Sequence, residues 1–142
     1  HDPRDVDAKE SVNEIKKREW YRPFAACVLE EYAHKWFDIA QGSISPYMTE
    51  SYEVRNPSVI PGVTHIDGSC RIQTVSKHDK VLRPILEEFY KLTGVPVLLN
   101  TSLNLHGQPL IETVEQAVNM FEGSYLDVIY FPETHQHLKN KC

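Results

Sequence analysis

The chain has 142 residues, a length that suits one domain with a single hydrophobic core. Its 15 basic and 20 acidic residues give a formal net charge of −5. This balance argues against a general binder of nucleic acid or of membrane surfaces, but it permits a local anion site.

Cysteine usage and hydropathy narrow the class of protein further. Cys27, Cys70 and Cys142 are widely spaced, odd in number and form no CxxC pair, so they predict neither a disulfide framework nor a zinc site. No apolar run is long enough for a membrane helix. A reducing cytoplasm is the expected setting, and no membrane partner is expected.

The first third of the chain predicts a helix, a strand and a second helical stretch. In DAKESVNEIKK, Asp7 can cap a short helix, with Glu10 three positions on. The small apolar and aromatic residues of REWYRPFAACVL favour a strand, and EEYAHKWF favours a short helix. Residues 38–62 are rich in proline and glycine and predict loops, with one candidate strand at YMTESYEV.

The middle of the chain contains the strongest local signals. Two β-prone runs flank Asp67-Gly68 in VTHIDGSCRIQTV, which predicts a hairpin of two antiparallel strands. RPILEEFYKLTG predicts a helix with Pro84 in its first turn and Gly94 as its left-handed cap. The nearly all-apolar VPVLLN that follows predicts a central strand buried on both faces.

The last third predicts one helix and one strand. Thr113 and Gln116 form a capping box ahead of an apolar repeat that ends at Gly123, and LDVIYF is the expected final strand. Residues 132–142 are polar, and we expect them to be frayed. No repeat or linker divides the chain, so the sequence predicts a single α/β (α+β) domain over residues 1–142.

A string of uncharged polar residues, NTSLN, follows the predicted strand VPVLLN. If this stretch is extended, Asn100, Ser102 and Asn104 share one face and offer hydrogen-bond donors and acceptors there. Such groups suit a nucleotide phosphate at the carboxyl end of a strand. The alternative is a loop whose side chains hydrogen bond to their own backbone.

A basic cluster surrounds a tryptophan in KKREWYRPF. In an extended chain Lys16, Arg18, Trp20 and Arg22 point to one side, and three cations on one face repel each other unless an anion joins them. The alternative is a solvated charged face with a cation stacked on Trp20.

Histidines offer weaker candidates. A two-residue turn at Asp67-Gly68 places His65 and Arg71 on opposite faces of the hairpin. A lone histidine such as His65 is more often structural than catalytic. His135 and His137 form an HxH pair, a weak metal signal by itself, so no metal site is assigned.

Four stretches in this order carry a family resemblance: DPR, KKREWYRPFA, THIDGSCRIQT and TGVPVLLNTSLNLHGQPLIET. Together they resemble the C-terminal domain of the O-carbamoyltransferases that act on nodulation factors, aminoglycosides and cephem antibiotics. The resemblance implies a fold like the YrdC family, a twisted mixed β-sheet with packed helices. It also implies a nucleotide site marked by a K-x-R and an S-x-N pair. Here these pairs match Lys16 with Arg18 and Ser102 with Asn104.

The resemblance implies a two-step reaction. Carbamoyl phosphate is broken down and the resulting carbamate is adenylated by ATP, with Mg²⁺ as the expected companion ion, to give carbamoyl adenylate. Lys16, Arg18 and Arg71 are the expected catalytic residues. The expected residues for binding the substrate and nucleotide are Arg22, His65, Asn100, Ser102 and Asn104.

The family also implies a second domain. An actin-like domain, normally N-terminal, passes the carbamoyl group to an acceptor hydroxyl, so we expect this chain to be a fragment of a larger protein. The other interpretation is a YrdC-like module that binds a nucleotide or RNA without carbamoyl phosphate chemistry. The net charge of −5 weighs against RNA.

Overall fold

A computed structural model describes residues 1–140. The chain divides into two compact units, one made of residues 1–10 and 23–101 and the other of residues 11–22 and the stretch from residue 102 onward. Each unit is assembled from two separate stretches of chain. Because the units share the chain in this way, no linker-like stretch of sequence marks the boundary between them.

The first unit is built on a mixed four-stranded sheet with helices beside it. Its strands are β1 (Ala25–Leu29), β2 (Ser51–Glu53), β3 (Ser69–Val75) and β4 (Val97–Asn100), in the order β2-β3-β1-β4. β1 runs parallel to β3 and antiparallel to β4, and β2 runs antiparallel to β3. The expected α/β class with a mixed sheet is confirmed.

Helices in the first unit follow the local sequence signals. A 3-10 turn (Glu30–Tyr32) and the short α2 (Ala33–Trp36) follow β1 directly. α3 (Leu82–Thr93) ends at Gly94, whose φ of 74° and N–H bond to the Tyr90 carbonyl form the expected left-handed cap. Leu86 of α3 is fully buried in one cluster with residues of β1 and β3, so this helix covers the sheet.

The predicted hairpin at Asp67-Gly68 is wrong in its first strand. Residues 61–68 are turns and irregular backbone, and only β3 follows them. β3 already has β2 along one edge and β1 along the other, so no edge is left for a third strand. Asp67 instead accepts the Ser69 backbone N–H at 2.9 Å, which closes a local turn.

The strand VPVLLN is real, but its predicted central position is wrong. β4 lies at the edge of the sheet beside β1. Val97 and Leu99 are buried, while Leu98 and Asn100 are half-buried. One face of β4 is therefore buried and the other is partly buried. An edge strand that packs against a helix has this burial too, so an apolar run does not by itself indicate a central strand.

The second unit contains one capped helix and a β-hairpin. α4 (Val114–Glu122) begins with the predicted capping box, in which the Gln116 N–H donates to the Thr113 hydroxyl and the Gln116 side chain accepts from the Thr113 N–H. β5 (Val128–Phe131) pairs with β6 (Gln136–Lys139) in antiparallel register. Ala117, Phe121 and Ile129 form the hydrophobic cluster between helix and hairpin.

The expectation that the polar tail is frayed is wrong for β6. Residues 136–139 form four register pairs with β5, and the Asn140 side chain donates to the Leu126 carbonyl at 2.5 Å. Backbone hydrogen bonds to β5 hold this strand, since all its side chains are exposed.

Two further expectations concern membranes and cysteines. None of the helices in residues 1–140 combines the length and apolar character that a membrane crossing requires. Cys27 and Cys70 are buried free thiols, and burial raises the pKa of Cys27 to about 11 and that of Cys70 to about 12. Cys142 lies outside the described residues.

Candidate functional site

The site begins at the carboxyl end of α1 (Ala8–Lys16). The Lys17 N–H donates to the Glu14 carbonyl at 3.0 Å and the Arg18 N–H to the Asn13 carbonyl at 3.1 Å. These two bonds are those of a Schellman motif, with Lys17 at the left-handed position that glycine usually occupies (φ 54°). The motif ends the helix between the two cationic residues of the K-x-R pair.

Lys16 reaches back into the polar string. Its ammonium nitrogen lies 2.6 Å from the Ser102 carbonyl oxygen and 2.9 Å from both the carbonyl and the side-chain oxygen of Asn104. The side chain is buried, with 5% of its surface exposed. The K-x-R and S-x-N pairs therefore meet through Lys16, although they are more than 80 residues apart in the sequence.

The polar string is a bent loop held by its own side chains. The backbone bends at residues 103–104 instead of continuing the strand. The Ser102 hydroxyl donates to Asn104 Oδ1 at 2.7 Å, and Asn104 Nδ2 donates to the Gln108 carbonyl at 2.8 Å. The alternative interpretation, a loop that forms hydrogen bonds with itself, therefore describes part of this segment. The same residues also hold the Lys16 ammonium group.

No acidic side chain in the described part of the chain forms an ion pair with Lys16. Within residues 1–140, its hydrogen-bond partners are carbonyl, amide and hydroxyl oxygens. Burial lowers the pKa of Lys16, and the positive charge of Arg18 lowers it further. A buried cation with neutral partners and a second cation nearby favours a negatively charged ligand over a positive one.

Arg18 and Arg22 differ in their partners. Arg18 Nε donates to Asn13 Oδ1 at 2.6 Å, and burial is the main cause that lowers its pKa, followed by the charge of Arg22. Arg22 is exposed and forms an ion pair with Glu19 at 3.2 Å. An anion would therefore compete with Glu19 for Arg22.

Sequence reasoning missed Asn13. Its side chain is buried, accepts from Arg18 and donates to the Trp20 carbonyl at 3.0 Å, so it ties the turn after α1 to the helix. A signal was present in the sequence, because an asparagine between Val12 and Ile15 places an amide beside the apolar residues of the helix.

The other three predicted site residues lie in the first unit. His65 is in a turn, with Nε2 2.9 Å from the Phe24 carbonyl and Nδ1 3.3 Å from the Ser69 hydroxyl. Both ring nitrogens therefore have partners, which supports a structural role. Arg71 is exposed on β3, and Asn100, the last residue of β4, donates to the Gln73 side chain at 2.8 Å.

A cavity of about 590 Å³ in the first unit is a different feature. Its charged lining includes Glu30, Glu31, Lys77 and Arg83 and none of the predicted site residues. Arg83 is already engaged, with Glu31 at 2.6 Å and Glu87 at 2.7 Å. The pair with Glu31 joins α3 to the 3-10 turn, and the pair with Glu87 lies within α3, so the arginine has a structural role.

Residues 1–140 hold no group of three or more His, Cys, Asp or Glu side chains that could bind a metal ion. His135 of the HxH pair hydrogen bonds to the Tyr130 hydroxyl at 2.9 Å. The described side chains therefore do not fit Mg²⁺ as a resident ion.

Comparisons with known proteins give the family. The chain is 41% identical over 131 residues to nodulation protein NolNO of Sinorhizobium fredii. The aligned region covers 89% of this chain and 19% of that protein. The chain is 39% identical over 131 residues to nodulation protein NolO of Bradyrhizobium diazoefficiens, covering 89% of this chain and 24% of the relative. The chain is also 43% identical over 103 residues to nodulation protein U of Rhizobium tropici. That aligned region covers 70% of this chain and 18% of the relative.

The chain spans about a fifth to a quarter of the length of these curated relatives. The family model for the carbamoyltransferase C-terminus matches residues 1–137, almost the whole chain and all residues of the K-x-R and S-x-N pairs. This chain belongs to the carbamoyltransferase C-terminus family.

Proposed function

We propose that this chain is the domain of a carbamoyltransferase that forms carbamoyl adenylate from carbamoyl phosphate and ATP, for transfer to an acceptor hydroxyl. One observation carries the proposal. Lys16 is a buried cation held against Ser102 and Asn104 by neutral oxygens, with Arg18 two positions away. The triphosphate of a nucleotide would bring negative charge to these two cations.

The chemistry needs positive charge near the transferring phosphate. Hydrolysis of carbamoyl phosphate releases carbamate and phosphate, and a carbamate oxygen then attacks the α-phosphorus of ATP. The bond from that phosphorus to the bridging oxygen breaks, and pyrophosphate leaves with the electron pair. Lys16 and Arg18 would stabilise the negative charge that moves onto the leaving group.

The remaining assignments rest on the family motifs. By those motifs Ser102 and Asn104 would orient the nucleotide phosphate, Arg71 would be a further catalytic residue, and Arg22, His65 and Asn100 would bind substrate or nucleotide. ATP is a co-substrate here and would arrive with its own Mg²⁺. The actin-like domain of the same polypeptide is the proposed partner that holds the acceptor, in a cytoplasmic setting.

The test measures pyrophosphate release by the full-length protein that carries this domain. We expect release from ATP only when carbamoyl phosphate is present, and Lys16→Met to reduce it by a factor of about 10² or more, as loss of a preorganised charge contact does. Arg18→Ala should have a similar effect. Circular dichroism and thermal unfolding of each variant separate lost chemistry from lost folding.

Lys91→Met is the matched control. Lys91 also lies in the last turn of a helix, but it is exposed and pairs with Glu88 at 2.6 Å. We expect this variant to keep its activity, since an exposed ion pair contributes little. Folded Lys16→Met and Arg18→Ala proteins with full carbamoyl-phosphate-dependent release would overturn the proposal and favour a nucleotide-binding module.

A further inference from the structure

One face of the mixed sheet is polar around the first residue of β1. Ala25 pairs in register with Arg71 of β3 and with Asn100 of β4, so the three side chains form one row on the same face. Gln73 follows Arg71 by two positions on β3 and therefore faces the same way. Arg71 is exposed, whereas Gln73 and Asn100 are half-buried. A cation and two amides thus share this part of the sheet.

The Asn100 and Gln73 side chains contact each other although a strand lies between them. β1 separates β4 from β3, so the two backbones are about 10 Å apart. Asn100 Nδ2 donates to Gln73 Oε1 at 2.8 Å. Their register neighbours on β1 are Ala25 and Cys27, and small side chains there leave the two amides room to meet.

A methionine sulfur fixes which way the Asn100 amide points. Asn100 Nδ2 also lies 3.8 Å from Met48 Sδ. A thioether sulfur accepts a hydrogen bond but cannot donate one, so the NH₂ group belongs on this side. Both of its protons then have acceptors, Met48 and Gln73.

The pair has two polar atoms left over, Asn100 Oδ1 and Gln73 Nε2. Among residues 1–140 neither atom has a hydrogen-bond partner, and neither is a buried atom left without one. Both are therefore open to solvent. An acceptor and a donor, held in place by the bond between the two amides, are available to a ligand.

A carboxamide is complementary to this pair of atoms. Its NH₂ group can donate to Asn100 Oδ1 while its carbonyl oxygen accepts from Gln73 Nε2. Arg71 lies in the same row as Asn100, and a guanidinium group suits a phosphate. Carbamoyl phosphate carries a carboxamide and a phosphate in one small molecule.

We propose that Gln73 and Asn100 form the subsite for the carbamoyl group of carbamoyl phosphate. Asn100 Oδ1 accepts from the NH₂ group of the substrate, and Gln73 Nε2 donates to its carbonyl oxygen. This inference rests on the proposed function for the identity of the substrate. It adds Gln73 to the residues that bind it.

The experiment compares two stable analogues by isothermal calorimetry on the full-length protein. Phosphonoacetamide has a methylene group in place of the bridging oxygen of carbamoyl phosphate. Acetonylphosphonate has a methyl group in place of the NH₂ group as well. We expect the unmodified protein to bind phosphonoacetamide about tenfold more tightly, because the methyl group leaves Asn100 Oδ1 without a donor.

The two residues should have different effects on this discrimination. Asn100→Ala should weaken phosphonoacetamide binding by about tenfold and acetonylphosphonate binding by less than about threefold, since only the first ligand uses the acceptor. Gln73→Met should weaken both by about fivefold, because both ligands contain the carbonyl oxygen. Asn56→Ala is the control, since Asn56 is exposed in a loop and should leave both affinities unchanged.

Several outcomes would overturn the proposal. One is an unmodified protein that binds the two analogues equally well or binds neither. Another is Asn100→Ala weakening both analogues by the same factor or not at all. A third is a loss of AMP affinity in Asn100→Ala with phosphonoacetamide binding intact, which would assign the amide pair to the adenine base. Should Asn100→Ala fail to fold by circular dichroism, Gln73→Met decides, and unchanged affinity for both analogues would overturn the subsite.

The same measurements separate this proposal from the proposed function. A protein that discriminates the analogues through Asn100, yet releases no pyrophosphate from ATP and carbamoyl phosphate, would overturn the reaction and support the subsite. Normal carbamoyl-phosphate-dependent release without discrimination between the analogues would support the reaction and overturn the subsite.

Discussion

Lys16 shows how neutral oxygens hold a buried cation. Moving an ammonium group out of water is costly unless its protons find acceptors. Here the carbonyl oxygens of Ser102 and Asn104 and the Asn104 side-chain oxygen take that place at 2.6–2.9 Å. The ammonium group therefore has hydrogen-bond partners, and these oxygens carry no negative charge.

The lowered pKa of Lys16 predicts a pH dependence. Burial and Arg18 both disfavour the charged form, so Lys16 loses its proton below the ordinary lysine pKa of about 10.4. ATP affinity should therefore fall as pH rises through that lowered pKa. In Lys16→Arg the guanidinium stays charged, and calorimetric titration with ATP between about pH 7 and 10 should show a smaller decline.

Equal pH profiles for the unmodified and Lys16→Arg proteins would contradict this assignment. Folding stability provides an independent check with a defined sign. Because the folded pKa is lower than the unfolded one, the unfolded chain binds more protons between the two values. The contribution of Lys16 to the free energy of unfolding should therefore increase with pH in that window.

At the scale of elements, the end of α1 combines a common geometry with an uncommon residue. Lys17 adopts the left-handed conformation with φ 54°, where a side chain costs roughly 1 kcal/mol. The two Schellman hydrogen bonds nevertheless close the helix there. Local strain is therefore located between Lys16 and Arg18.

Substitutions at Lys17 test this strain. Lys17→Gly should raise the free energy of unfolding by up to about 1 kcal/mol, because glycine adopts this conformation without a clash. Lys17→Val should lower it by about 1 kcal/mol or more, since a β-branched residue is poorly tolerated at positive φ. Urea denaturation measures both. If Lys17→Gly is the less stable of the two variants, Lys17 does not occupy the left-handed region.

Other elements show which local signals are reliable. The capping box at Thr113, the glycine cap at Gly94 and the helix start after Asp7 were all predicted and are confirmed. Each depends on residues within one or two turns of each other. The Asp67-Gly68 hairpin failed because its outcome depended on which strands already occupied the edges of β3.

At the scale of the whole molecule, net charge and local charge differ. The chain carries −5 overall, yet Lys16, Arg18 and Arg22 lie within seven residues. Screening at physiological salt limits the reach of exposed charges to about 8 Å, so distant acidic residues have little influence on this cluster. The total charge of the chain is therefore a poor guide to what this site binds.

Arg71 provides a prediction for the full-length protein. It is exposed on β3, and its assignment as a catalytic residue rests on the family motif. Arg71→Ala should reduce carbamoyl-phosphate-dependent pyrophosphate release by about tenfold or more if its charge acts on a phosphate. Arg55→Ala is the control, since Arg55 is exposed and pairs with Asp38 at 2.7 Å. Equal activities of the two variants would remove Arg71 from the site.

The sequence by itself determined the helices, most of the strands, the α/β class and, through four ordered motifs, the family. These depend on caps, glycines and apolar periodicity, which act between near neighbours. Only the tertiary structure decided that VPVLLN is an edge strand, that the tail pairs as β6, and that Asn13 holds Arg18. The contact of Lys16 with Ser102 joins residues 86 positions apart. No local pattern encodes such a contact, because it exists only once the chain has folded back on itself.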